Sequence, residues 1–182
     1  MKRRASSLEI LVWAAILAAL AYARPAVAQD AGEPAVRPVC QGDVAASAAD
    51  REQACTTWLK SSDATATQKA TAYVNRGWAL GEQNRLADAI ADYTKAIKLR
   101  PAWFVAYNER GLAQLRSGQL DAAAHDYQRA LKLNPDAVYS HYGLGLTLLR
   151  QGKTDPGQGE IAKARQLDPK VDDVFRELAL AP

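Results

Sequence analysis

The chain is poor in the residues that metal and redox chemistry depend on. It has two cysteines, two histidines and one methionine among 182 residues, which excludes a multi-ligand metal cage or a haem site of the usual kind. It lacks a phosphate-cradling Gly-rich loop, a zinc-protease helix motif and a Gly-x-Ser-x-Gly elbow. Charge of one sign is also missing over most of its length. The formal net charge is +3, and it arises from Lys2, Arg3, Arg4 and Arg24 against Glu9. That leaves 19 of the 23 basic and 19 of the 20 acidic side chains to cancel. Without its N-terminus the chain is neutral, and its basic isoelectric point gives no reason to expect nucleic acid or anionic lipid as a partner.

Long apolar runs are absent as well. Ile10 to Ala23 is the one extended run, and it falls short of the roughly 20 residues that cross a bilayer. Its setting gives it another meaning. Lys2-Arg3-Arg4 precede it, and Ala26-Val27-Ala28 follow it before Gln29. This is the layout of a secretory signal peptide cleaved after Ala28, with Ala21-Tyr22-Ala23 as a weaker site and a retained anchor as the alternative. Residues 1–28 are therefore read as a leader to the periplasm or outside of a bacterial cell. No membrane association is expected after cleavage. In an oxidising compartment Cys40 and Cys55 are expected to pair, and such a loop stabilises by about 3 kcal/mol in the chain-entropy model. Residues 29–39, with Pro34 and Pro38, read as a disordered lead-in.

The middle of the chain is repetitive. Pro101, Pro135 and Pro169 close three contiguous blocks, 70–103, 104–137 and 138–171. Equivalent positions hold Tyr73, Tyr107 and His141; Gly77, Gly111 and Gly145; Leu80, Gln114 and Leu148; Ala89, Ala123 and Gly157; Tyr93, Tyr127 and Ile161; Ala96, Ala130 and Ala164. In the first block, Tyr73, Gly77 and Leu80 mark one face of a helix near 70–83, and Ala89, Tyr93 and Ala96 one face of a second near 86–99. A short turn at Gln83-Asn84-Arg85 makes the two antiparallel, and proline ends each second helix. One such pair cannot bury its apolar face, so pairs must stack.

This pattern resembles the tetratricopeptide repeat over residues 70–171. The resemblance implies an all-α, right-handed solenoid of three helix hairpins that binds proteins and is not an enzyme. Outside it, residues 40–69 are expected to hold an N-terminal capping helix near Asp50 to Lys60, with Ala54, Trp58 and Leu59 packing on the first block. Residues 172–182 are expected to hold a C-terminal one, capped by Asp172. Arg76 and Arg110 replace a usual Leu, and each faces an Asp (Asp92, Asp126) in a structural ion pair. Pro156, Gly157 and Gly159 predict that the last second helix starts late and frays. His141 is expected in the core and His125 in solvent. Ser140-His141 and His125-Asp126 are helix neighbours pointing apart, not catalytic pairs.

The resemblance also locates a binding surface. First helices of such arrays line a concave groove, and their non-core positions here are Val74, Asn75, Trp78, Asn108, Leu112, Leu115, Tyr139, Tyr142, Leu146 and Leu149. Members that grip acidic C-termini use Lys, Arg and Asn there; only the asparagines are present, so the groove is apolar and aromatic. An extended peptide or amphipathic helix of a protein partner fits it, with Asn75 and Asn108 placed to bond its backbone. No cofactor or metal is expected. The alternatives are a self-associating envelope module without a peptide ligand, and a groove filled by the chain's own N-terminal segment.

Overall fold

The computed structural model describes residues 40, 46–60 and 64–177. The leader, its cleavage sites and the lead-in lie outside the described residues, as do residues 178–182. Eight helices and no strand occur among the described residues: α1 (Ala48–Leu59), α2 (Ala66–Glu82), α3 (Leu86–Leu99), α4 (Phe104–Arg116), α5 (Leu120–Leu133), α6 (Val138–Arg150), α7 (Thr154–Leu167) and α8 (Val171–Glu177). The protein is an all-α solenoid in which each helix from α1 to α7 packs on the next, and α8 packs on both α6 and α7.

Local chemistry sets the helix ends. Ser47 caps α1 by accepting from the Asp50 amide. Helix α2 starts one turn before the expected position because Thr65 and Gln68 form a capping box. Between paired helices the turns need one residue in the left-handed region, and Asn84, Gly118 and Gly152 occupy it with φ of 59°, 78° and 78°. These three residues take the same place in successive blocks.

The curvature follows from which helices touch. First helices contact one another, α2 with α4 and α4 with α6. Second helices α3, α5 and α7 make no such contacts among the described residues. The first helices therefore form the inner layer and the second helices fan out behind them. Tyr93 and Tyr127 fill the space between layers, both nearly inaccessible. A Cβ on Gly77 would meet the Tyr93 ring at 2.5 Å, and one on Gly111 the Tyr127 ring at 3.2 Å. The Tyr127 hydroxyl is buried without a partner, and burial pushes its pKa well above the ordinary tyrosine value.

The Arg–Asp pairs form as expected, both bidentate. Arg76 Nε and Nη2 donate to Asp92 at 2.5 and 2.8 Å, and Arg110 Nε and Nη2 donate to Asp126 at 2.6 and 2.8 Å. Each arginine donates a third bond, to Thr56 and Thr94 respectively, at 3.0 Å. The carboxylates are almost fully buried, so these bonds supply the partners that burial demands.

Two expectations are corrected. Helix α7 does not start late, since Leu86, Leu120 and Thr154 begin the three second helices at equivalent places. Gly157 is buried, and a Cβ there would meet Leu149 at 2.9 Å and the Gly145 carbonyl at 3.0 Å. The glycine permits close helix contact, which offsets its poor helix propensity. Asp172 lies inside the first turn of α8, and its carboxylate points sideways to Arg165 and Tyr142 instead of capping.

Candidate functional site

The inner layer presents fewer of the expected residues than their repeat positions imply. Val74 and Leu115 are wholly buried, and Tyr142 and Leu146 nearly so. The reason is packing between repeats. Leu115, Tyr142 and Leu146 belong to one core cluster with Tyr127, Ile161 and Phe175, while Val74 belongs to a second with Tyr93 and Val105. Their side chains hold the layer together and are withdrawn from its surface. Trp78 on α2, Leu112 on α4, and Tyr139 and Leu149 on α6 are half-buried. They pack by one side on the same two clusters, Leu149 against Gly157 of α7, so each first helix keeps at least one partly exposed apolar side chain.

The two asparagines are engaged within the chain. Asn108 Oδ1 accepts from Ser140 Oγ at 2.8 Å, and its Nδ2 donates to Glu109 Oε1 at 3.2 Å, tying α4 to α6. Asn75 Nδ2 donates to the Cys40 carbonyl at 2.6 Å. The Asn75 Oδ1 is buried with no donor, an unmet acceptor of the kind that costs about 1–3 kcal/mol. Asn75 thus already holds a backbone carbonyl, one supplied from 35 residues earlier in the same chain.

That carbonyl belongs to a covalently fixed residue. Cys40 and Cys55 form a disulfide, and both are buried with Ala72 beneath Ala54, Trp58 and Leu59. Beside them Arg51 of α1 pairs with Glu82 at the end of α2. At the opposite end, Phe175 of α8 stacks on Tyr142 with ring centroids 4.1 Å apart and lies 6.4 Å from Tyr139. The Tyr142 hydroxyl donates to Asp172 at 2.7 Å. Burial, then that bond, pushes its pKa up to about 12. The Arg165 guanidinium, with help from the Tyr142 hydroxyl, holds Asp172 below the usual carboxylate range.

Sequence reasoning passed over the polar rim. Arg116 and Arg150 are exposed in the last turns of α4 and α6. A Cβ on Gly81 would lie 3.7 Å from Arg116 Nη1, and Arg150 Nη1 donates to the Leu115 carbonyl at 3.4 Å. Cations there complement the negative ends of the first helices. A basic residue in the last helical turn was the available signal.

The two histidines occupy different settings. His141 is buried, with Nε2 donating to the Pro135 carbonyl at 2.8 Å and Nδ1 2.6 Å from Glu160 Oε2. Tyr107 makes the equivalent bond to the Pro101 carbonyl at 3.1 Å, so His141 fills a tyrosine's place. His125 is exposed, although its Nδ1 comes within 3.6 Å of Asp126 Oδ1. The described residues hold no group of three or more His, Cys, Asp or Glu able to bind a metal. No helix among them is long and apolar enough to cross a membrane.

Comparisons with known proteins agree with this architecture. A family model described as "Tetratricopeptide repeat" matches residues 70–102, and one described as "TPR repeat" matches residues 115–152. No curated protein sequence matches the chain. Among solved structures, "Crystal structure of MamA" is similar at 22% identity and a TM-score of 0.59, covering 69% of this chain and 71% of that one. "MamA RS-1 ArsTM double mutant" is similar at 19% identity and a TM-score of 0.63, covering 78% and 79%. "First TPR of Spaghetti (RPAP3) bound to HSP90 peptide SRMEEVD" is similar at 20% identity and a TM-score of 0.56, covering 62% and 93%.

Proposed function

Since this chain is a tetratricopeptide-repeat protein, built on a scaffold that generally serves protein–protein interaction rather than catalysis, we propose that it is an exported adaptor that holds a segment of a protein partner against its inner face. The observation that carries this reading is that Trp78, Leu112 and Tyr139, one on each first helix, are only half-buried. Apolar side chains spaced in this way receive hydrophobic side chains, as an extended segment or an amphipathic helix supplies them. That a solved neighbour of similar fold carries a bound peptide supports the mode of binding. The acidic-tail chemistry is a poor fit, because Asn75 and Asn108 are committed to Cys40 and Ser140. The leader pattern at residues 1–28 and the Cys40–Cys55 bond support an oxidising compartment outside the cytoplasm, the bacterial periplasm in our reading.

Trp78 is the residue to test. A photoreactive residue at position 78, crosslinked in the native cell, is expected to capture one dominant foreign protein. A synthetic peptide from the crosslinked segment should then bind the purified chain. Trp78→Ala should weaken that binding at least tenfold, which corresponds to about 1.4 kcal/mol, while circular dichroism shows the helical fold retained. Adducts to further copies of this chain alone would replace the adaptor with a self-associating structural module.

A further inference from the structure

The third repeat departs from a device that the first two share. One repeat position holds Asp92, Asp126 and Glu160, and another holds Arg76, Arg110 and Leu144. In the first two repeats the arginine grips the carboxylate with two bonds and ties the first helix to the second. Leu144 carries no donor. Its side chain lies in the apolar cluster with Tyr142 and Ile161, and Glu160 turns to a different group. That group is His141, whose Nδ1 is 2.6 Å from Glu160 Oε2. A guanidinium stays charged at every pH at which a protein folds; an imidazole does not.

His141 does more than the tyrosine it replaces. Tyr107 donates one bond, to the Pro101 carbonyl. His141 repeats that bond through Nε2, to the Pro135 carbonyl at 2.8 Å, and adds the contact to Glu160. Both ring nitrogens therefore face acceptors. A neutral ring carries one N–H and satisfies only one of them; the imidazolium satisfies both, and its bond to a carboxylate is of the stronger, charge-assisted kind. The other charged groups on elements packed against α6 have their own partners. Asp126 of α5 is held by Arg110, and Arg129 of α5 lies over Tyr107. Glu109 of α4 accepts from Asn108, and Asp172 of α8 is held by Arg165 of α7. Lys163 of α7 is exposed, at the place equivalent to Lys95 and Arg129. Among the described residues, Glu160 is the carboxylate that meets the ring.

We infer that His141 and Glu160 form a pH-sensitive brace of the third repeat: the protonated ring locks α7 onto α6, and loss of its proton as pH rises frees α7 while the arginine-braced repeats stay closed. On deprotonation the Nδ1 proton passes to solvent and Nε2–H keeps the Pro135 carbonyl. The Nδ1 lone pair then faces the Glu160 carboxylate, which is 31% exposed and can turn to water. A bond made only by the charged ring is present at mildly acidic pH and lost on the alkaline side. The brace acts whatever the inner face binds.

The test is hydrogen exchange of the full purified chain at about pH 5.5 and about pH 8.5, corrected for intrinsic rates. Helix α7 should open about tenfold more often at the higher pH, with α3 and α5 changing less than about twofold. Asp172, held below the usual carboxylate range, and Tyr142, raised to about 12, do not titrate in this window, so the C-terminal cap is not the source. Nitrogen-15 spectra should show protons on both ring nitrogens of His141 at the lower pH. His141→Tyr restores the residue of the other two repeats, and Glu160→Gln supplies an amide that meets either form of the ring; each should remove the response. His125→Gln should leave it intact. Should the tyrosine variant fail to fold, Glu160→Gln decides. An equal response in α3, α5 and α7, a singly protonated ring at the lower pH, or a response that survives Glu160→Gln or a folded His141→Tyr overturns the inference.

Discussion

The two ends of the array face the same problem and solve it with different chemistry. A stack of repeats leaves an apolar flank at each end, and each flank must be covered. At the N-terminal end a covalent bond and polar contacts do this: Cys40–Cys55, the Asn75 bond to the Cys40 carbonyl, and the Arg51–Glu82 pair. At the C-terminal end the cover is aromatic, with Phe175 stacked on Tyr142 and a ring of polar bonds around Asp172. The first device acts in large part on the unfolded chain, by restricting it. The second acts on the folded state, through buried area and ring contact. The end closed covalently depends on redox conditions; the aromatic end depends on pH through Asp172 and Tyr142, which border its stack.

The sharpest way to break this comparison is at the aromatic end. Phe175 is almost fully buried in the core cluster that contains Tyr142 and Ile161, so Phe175→Ala should destabilise by about 3–4 kcal/mol in urea unfolding. Hydrogen exchange should show the loss first in α8 and the end of α6, with α1 and α2 still protected. Uniform loss of protection would mean that the ends are not separately closed. The covalent end comes next. The double change Cys40→Ala, Cys55→Ala should lower stability by about 3 kcal/mol, with faster exchange in α1 and at the start of α2. A change much below 1 kcal/mol would assign the N-terminal closure to Trp58 and Leu59 instead.

Acidity and alkalinity should separate the ends with smaller effects. The folded-state pKa of Asp172 is depressed, so its contribution is present above the unfolded carboxylate value and is lost as pH falls through the folded one. Tyr142 is shifted the other way, to about 12. Its contribution is present below the unfolded value near 10 and disappears as pH rises toward 12. The C-terminal cap should therefore loosen at both extremes, and Asp172→Asn should flatten the acid limb. Far-ultraviolet circular dichroism with exchange mapping at pH 3, 7 and 11.5 would check this, and identical profiles at the two ends would contradict it.

The repeat was legible because its information is local and redundant. Seven positions recur in each block, so His141 could be placed in the core at an aromatic position, and Arg76 and Arg110 could be matched to Asp92 and Asp126. The inner face was legible only in part. Position within a repeat says which way a side chain points, but not whether the next element covers it. Val74, Leu115, Tyr142 and Leu146 are covered; Trp78 and Leu112, equivalent to Leu146, and Leu149, equivalent to Leu115, are half-buried, as is Tyr139. The Asn75–Cys40 bond joins a repeat to a segment outside the periodic pattern, so no spacing announces it. Thr65-x-x-Gln68 was readable as a capping box, and the block boundary drawn at residue 70 hid it.

The smallest predicted effect separates two glycines two residues apart in α7, in the region that the aromatic end covers. Both carry the same intrinsic penalty in a helix, about 1 kcal/mol relative to alanine. At Gly157 the space for a methyl group is taken by Leu149 and the Gly145 backbone, and a backbone atom cannot rotate away. At Gly159 a Cβ would meet nothing within 4 Å, and the residue is exposed. Gly159→Ala should therefore raise stability by about 0.5–1 kcal/mol, whereas Gly157→Ala should lower it by about 1–3 kcal/mol through overpacking. Opposite signs from one chemical change, read by thermal unfolding of the two variants, would tie the third repeat's stability to the Gly145–Gly157 approach. Matching signs would mean that propensity alone governs α7 and that the close contact carries no energy.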